Sequence, residues 1–409
     1  MHHPSLASAP LQDVQAPLTR AAALPTVCFP FAGGTIGGSH VSAVKLIQAL
    51  DRSRFRPLVV LHRPEGQLPD FLRSEGVPFT ALPVRDFLGN SWGLKRRWNL
   101  AEAIRGVAAM PAMIRFLRQE GVGIVHTNDS AMHMSWLLPS RLAGAKLLWH
   151  HRAGPRGRGL RLAAPLLADR VAAVSHFSLS GAGSRVLRKA EVIYSPFDTL
   201  EEVPDRACAH HTLTTELGLD PHTRLIGFFG NIDDRKRPLA FVEMIAELRR
   251  IAPELPVAGL MFGATLDPAL EAAVRERARD LQLGEAFHLM GFRSPSAPLM
   301  AGCDIHAVTA VEEPFGRSLI EAMLLGTPVV AAASGGNIEA IEDGVTGCLV
   351  PPDDPEAMAR TVASLLRAPP TIRSMSDAAR IHAESSFGIA RHAAQVAALY
   401  AAMLGLPES

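Results

Sequence analysis

The feature that most constrains this chain is an alternation that occurs twice. Short apolar runs ended by glycine or polar turns are separated by longer segments with helical spacing. In the first half the runs are TVCFPFA, RPLVVLH, PFTALPV, GVGIVHTND, AKLLWHH, RVAAVSHFS and AEVIYSPFD. Between the first two, HVSAVKLIQALDRS sets Val41, Val44, Ile47 and Leu50 at helical spacing. The second half repeats the scheme with RLIGFFG, VAGLMFG, AFHLMG, DIHAVTA, PVVAA and TGCLVPP, separated by segments such as LAFVEMIAELRRI and PALEAAVRERARDLQL. Strands that are apolar throughout are covered on both faces, which predicts parallel sheets flanked by helices. The expected fold is α/β: two Rossmann-like, doubly wound domains facing a central cleft, where the carboxyl ends of the strands bind ligands.

The boundaries follow from composition. Residues 1–22 lack a charged start followed by an apolar core, and read as a disordered tail. Residues 23–200 form the first domain, and 201–222, polar and without period, a linker. Residues 223–385 form the second domain, and 386–409 a terminal amphipathic helix. The 41 basic and 40 acidic residues nearly cancel, so nothing global points to nucleic acid. The four cysteines are scattered, with no CxxC pair, which fits a reducing cytoplasm better than a disulfide framework. No stretch of about 18 uncharged apolar residues is present to span a membrane.

The chemistry concentrates in EEPFGRSLIEAM, residues 312–323. Glu313 and Glu321 stand either side of a turn that opens a predicted helix. Backbone amides at a helix start favour anions, and Gly316 allows close approach of a ligand. Spacing alone favours an exposed loop acid and a solvated helix acid. The surrounding sequence points elsewhere. The run from Glu312 through DDPEAMARTVASLL resembles the signature of retaining glycosyltransferases of family four, which have the GT-B fold. Weaker likenesses in FAGGTIGGSH, IVHTND, VIYSPFD, GNIDDRKRP and MGFRSPSAPLMAGCD extend it over most of residues 25–370.

The resemblance implies a retaining, hexosyltransferase-type enzyme. Its first domain would bind the acceptor and its second a nucleotide-sugar donor, with the terminal helix packed back on the first domain. Glu313 would lie against the transferred sugar, and Glu321 would hold the ribose. The amides of Phe315 and Gly316 would take sugar hydroxyls, and those around Ser318 and Leu319 the diphosphate. Lys236 falls on the phosphate-binding lysine. The arginine usual after the preceding glycine is Asn231 here, so Arg235 or Arg237 would replace it. Gly37 and Gly38 match the loop that approaches the donor phosphate, and one of His150 and His151 would reach the donor sugar. Retention would proceed by front-face attack, without a covalent intermediate on Glu313.

A leaving diphosphate needs fixed positive charge or a metal ion. Asp233–Asp234 and Asp353–Asp354 sit in proline-containing turns and read as turn acids, so no metal or other cofactor is expected. His126 and Asn128 end a neighbouring strand and are read as lining the acceptor side. Arginine-rich stretches at 94–118, with Lys95, Arg96, Arg97, Arg105, Arg115 and Arg118, and at 152–161, with Arg152, Arg156, Arg158 and Arg161, suggest contact with an anionic membrane. The acceptor is then a saccharide or lipid-linked, in cell-surface polysaccharide or glycoconjugate synthesis. The enzyme would be cytoplasmic or peripheral on the inner membrane face. The rival readings are a GT-B-type epimerase or phosphorylase, and a catalytically degenerate partner subunit. Ser195–Pro196, Thr309–Ala310 and Asn231 depart from the family pattern.

Overall fold

The computed structural model describes residues 24–34, 36–88, 100–198 and 203–407. The expected tail at 1–22, Lys95, Arg96 and Arg97, and the side chain of Arg158 lie outside these. Among the described residues, thirteen strands fall on the thirteen apolar runs. The first sheet contains β1 (Thr26–Phe31), β2 (Arg56–Leu61), β3 (Phe79–Ala81), β4 (Val122–Thr127), β5 (Lys146–His151), β6 (Arg170–Ala173) and β7 (Ala190–Val192), in the order 3-2-1-4-5-6-7. The second contains β8 (Arg224–Phe229), β9 (Val257–Phe262), β10 (Phe287–Gly291), β11 (Ile305–Val308), β12 (Val329–Ala332) and β13 (Cys348–Val350), in the order 10-9-8-11-12-13. Every pairing is parallel. This is the GT-B architecture.

Strand order reverses between β1 and β4 and again between β8 and β11. Chains leaving two adjacent strands there turn to opposite faces, which opens a crevice at each carboxyl edge. The two crevices face one another. The segment read as a linker without clear period carries a helix, Arg206–Leu217, capped by Asp205 and ended by Gly218 in the left-handed region. It was hidden because RACAHHTLTTEL has no apolar stripe, and only Leu213 and Thr214 are buried.

After the helix Pro369–Phe387 the chain crosses between domains. Phe197 donates its amide to Phe387 O at 3.0 Å and accepts from Ile389 N at 3.1 Å. The last helix, Ile389–Leu404, then covers the first sheet, where Val396, Leu399 and Tyr400 join Val27, Phe29 and Ile124 in one core. Burial of these large apolar side chains at about 1.5–3 kcal/mol each fixes the helix to the first domain.

Candidate functional site

The cleft between the sheets has a volume of about 1340 Å³ and is walled by both domains. That is ample for a nucleotide sugar and part of a second substrate. Its second-domain wall is built by the loops after β8 and β11, the two strands at the switch point. The β8 loop closes in the short 3₁₀ turn Asp234–Lys236, capped by Asp233, whose carboxylate accepts from Lys236 N at 3.2 Å. The turn carries Arg235 and Lys236 towards the β11 loop, where both meet Glu313. Arg235 Nη1 lies 2.7 Å and Lys236 Nζ 3.0 Å from the same Glu313 Oε2. Neither contact has hydrogen-bond geometry, so these are charge contacts.

Glu313 is 8% exposed. Its backbone is fixed independently of its charge. Gly336 N donates to Glu313 O at 2.7 Å, and Gly335, at φ +61°, passes so close that an added Cβ would lie 2.5 Å from that oxygen. Arg237, the other candidate for the missing cation, is turned away, with Nε 2.9 Å from Asp353. Asp354 caps the helix Pro355–Leu366 by accepting from Ala357 N. Asn231 lines the cleft beside Lys236.

The helix Arg317–Leu324 starts at Gly316 with its amide end in the cleft wall. Phe315 is buried against Tyr194 and Phe387, and Leu319 is wholly buried, so their side chains anchor this start. Gly316 makes a further close approach: a Cβ there would lie 2.9 Å from Asn337 Oδ1. Ser318 is oriented from below. His306 Nδ1–H donates to Gly227 O at 3.0 Å, so its Nε2 accepts from Ser318 Oγ at 3.2 Å. Burial pulls the His306 pKa down to about 4 and keeps the ring neutral. Glu321 follows one turn on, with Oε1 3.3 Å from Arg317 Nη2. Some 38% of its side chain is open to the cleft. Enclosure by the concave walls, rather than burial in the core, pushes its carboxyl above the ordinary value despite Arg317.

On the first-domain wall, Gly37 caps the helix Gly38–Ala49, and a Cβ at Gly38 would lie 2.9 Å from Arg317 Cδ. The two domains therefore touch at the pair of helix starts. Strand parity separates the two histidines of β5. His151 lines the cleft and donates from Nε2 to Gly154 O at 3.1 Å. His150 points the other way and is fully buried.

His126 and Asn128 require correction as acceptor-side residues. His126 lies inside the first domain, fully buried, between Tyr400 Oη at 2.5 Å and His150 Nδ1 at 3.0 Å. Asn128 is 2% exposed and accepts from Arg152 Nε at 3.1 Å. Residues Ile124, His126, Leu148 and His150 share the face that the terminal helix covers, which is why neither histidine reaches solvent. Burial, then the Arg152 charge, holds both rings well below the ordinary histidine range.

Three cleft residues were not singled out from the sequence. Arg152, counted in a basic surface run, turns into the cleft. Burial first, then Arg317, pulls its pKa down to about 9, which leaves it charged at neutral pH. Arg317 bridges the domains, with Nη1 2.9 Å from Ser42 Oγ and its guanidinium 4.5 Å over the Phe197 ring. Glu312 has φ +50° and reaches Arg156 of the other domain at 2.8 Å. A cation at the carboxyl end of a switch-point sheet was the available signal for Arg152.

Two opposed Rossmann-like sheets, with an acid, two cations and a helix start at their shared cleft, define a GT-B glycosyltransferase scaffold. The model for "Glycosyl transferases group 1" matches residues 223–368, and that for "Glycosyl transferase 4-like domain" matches 37–202. The chain belongs to the glycosyl transferases group 1 family. It is 37% identical over 183 residues to D-inositol 3-phosphate glycosyltransferase of Segniliparus rotundus, covering 44% of this chain and 39% of that protein. The corresponding enzyme of Corynebacterium glutamicum is 33% identical over 188 residues, 45% of each chain. The chain thus spans less than half the length of these curated relatives. Among solved structures, Anabaena Alr3699/HepE in complex with UDP and glucose superposes with a TM-score of 0.76 at 23% identity, covering 92% of this chain and 100% of that one. A glycosyltransferase from Rickettsia africae gives 0.75 at 19% identity, covering 93% and 99%. At these identities the superpositions speak for the fold.

Proposed function

We propose that this chain transfers a sugar from a nucleotide-activated donor to a saccharide or lipid-linked acceptor, with retention of configuration and without a metal ion. The observation that carries the reading is the Arg235–Lys236–Glu313 cluster set against the helix start at Gly316. The lysine, the arginine and the free amides supply a positive field where a leaving diphosphate gathers charge. Glu313 sits beside that field, placed to stabilise a cationic sugar. Glu321, one turn deeper, is open to the cleft for a ribose. His151 faces them from the acceptor wall. The bond from the sugar carbon to the diphosphate breaks, the acceptor oxygen bonds the same carbon on the same face, and its proton leaves with the diphosphate. Asp233 and Asp354 are engaged as caps, which leaves charge neutralisation to Arg235 and Lys236.

The same reading places the enzyme at the inner membrane face, in cell-surface polysaccharide or glycoconjugate synthesis. Its support is the helix Leu100–Gln119, where Leu100, Ile104 and Val107 are 70%, 60% and 56% exposed beside Arg105. Flotation with anionic vesicles at low salt tests this part, and a protein that stays at the bottom of the gradient removes it. The transfer reading is tested by thermal shift with UDP-, GDP- and ADP-sugars, followed by release of diphosphate with candidate acceptors. Stabilisation by one base class is expected. Indifference to all three returns the chain to a non-catalytic partner.

A further inference from the structure

Arg152 stands at the carboxyl end of β5, on the first-domain wall, opposite the diphosphate cluster. All three of its donor nitrogens are held by neutral acceptors. Nε donates to Asn128 Oδ1 at 3.1 Å, Nη1 to Ser195 Oγ at 3.5 Å and Nη2 to His150 Nδ1 at 3.3 Å. Among the described residues no carboxylate lies within ion-pair distance of it. The largest charged influence on it is another cation, Arg317.

The bonds behind Arg152 have one consistent set of directions. Arginine cannot accept, so His150 Nδ1 carries no proton. His126 Nε2, 3.0 Å from the same nitrogen, must then be the donor, and His126 Nδ1 accepts from Tyr400 Oη. The chain from the terminal helix thus ends in an acceptor that orients the guanidinium. It brings no negative charge. Asn128 has one amide oxygen, and Arg152 uses it. Its Nδ2 is buried without a partner.

Holding a half-buried guanidinium rigid, without a counter-ion, costs stability unless a ligand supplies the charge. The donor diphosphate has its cations on the opposite wall. We infer that Arg152 is the anion-binding residue of the acceptor side, and that it receives a phosphate or carboxylate group carried by the acceptor. This rests on the reading of the cleft as a glycosyl-transfer site. A planar guanidinium presents paired donors to either anion, whereas Lys45 on the same domain is taken by Asp198 at 2.8 Å.

The test uses the full chain, saturated with the nucleoside diphosphate that binds it, so that Arg235 and Lys236 are occupied. Inorganic phosphate, a hexose phosphate and the unphosphorylated hexose are titrated by calorimetry into wild type, Arg152→Gln and Arg152→Lys. Folding of each variant is checked by circular dichroism. Wild type is expected to bind the two phosphates, Arg152→Gln to lose about tenfold or more of that affinity, and Arg152→Lys to keep part of it. Diphosphate affinity is expected to stay within about threefold of wild type. Equal phosphate binding by wild type and Arg152→Gln overturns the inference. So does a loss of diphosphate affinity that matches the loss for phosphate, because Arg152 then belongs to the donor. If no nucleoside diphosphate binds wild type, the transfer reading fails by itself. The same phosphate titration on the free protein then still decides whether Arg152 holds an anion.

Discussion

Replacing Glu313 by Gln should move binding and turnover in opposite directions. Glu313 Oε2 lies against Arg235 at 2.7 Å and Lys236 at 3.0 Å, the cations a diphosphate needs. At an effective dielectric constant of 20, each contact is worth about 5–6 kcal/mol of bare Coulomb energy. Most of that is lost to desolvation and screening, since 43% of the Arg235 side chain and 17% of the Lys236 side chain are exposed. A net of about 1–2 kcal/mol for the pair is realistic. A diphosphate must displace this contact, so Glu313→Gln should bind it about 5–30 times more tightly. Turnover should fall on the order of 10²–10³-fold, because the carboxylate that meets the cationic sugar is gone. Calorimetry with the diphosphate and a diphosphate-release assay measure the two effects. The fold should persist, since the Glu313 backbone is held by Gly336 N. Weaker diphosphate binding by a folded Glu313→Gln protein would refute the displacement argument. Turnover within about threefold of wild type would refute the role given to the carboxylate.

Tyr400→Phe keeps the buried ring but leaves His126 Nδ1 without a donor, and should cost about 1–3 kcal/mol in urea unfolding. An unchanged unfolding midpoint would show that the His126–Tyr400 bond adds nothing to the docking of the terminal helix. Glu321→Gln addresses pH. Glu321 has a folded pKa raised above its unfolded value, so wild type loses stability as pH rises from the unfolded value through the folded one. Glu321→Gln lacks that loss, so its melting temperature should exceed that of wild type at pH 7 and the gap should close by about pH 4. A variant less stable than wild type at neutral pH would show that the Arg317 contact outweighs enclosure.

The fold was legible because strand burial leaves a local mark. A run such as TVCFPFA or PVVAA is apolar throughout, and turn residues end it, so each strand announces itself without its neighbours. The helix Arg206–Leu217 left no such mark, since its stability comes from its caps and from a narrow contact. Glu313, Glu321 and Lys236 were legible for another reason: the sequence around them resembles the glycosyltransferase signature, and that resemblance assigns them by register.

The histidines and Arg152 show where local reading stops. Parity alone says that His150 and His151 face opposite ways, and the pairing of β4 with β5 sets His126 on the His150 side. Parity does not say which face is wet. That depends on the terminal helix, more than 200 residues away, which returns to cover the His126 face and supplies Tyr400 to it. Arg152 is harder still. In sequence it is one arginine in RAGPRGRGLR, indistinguishable from Arg156 beyond it. Arg156 finds a carboxylate, Glu312, at an exposed rim. Arg152 finds an amide, a hydroxyl and a neutral imidazole, each set by a different strand or loop. A charge becomes a binding group when its surroundings orient it without neutralising it, and that property belongs to the assembled cleft.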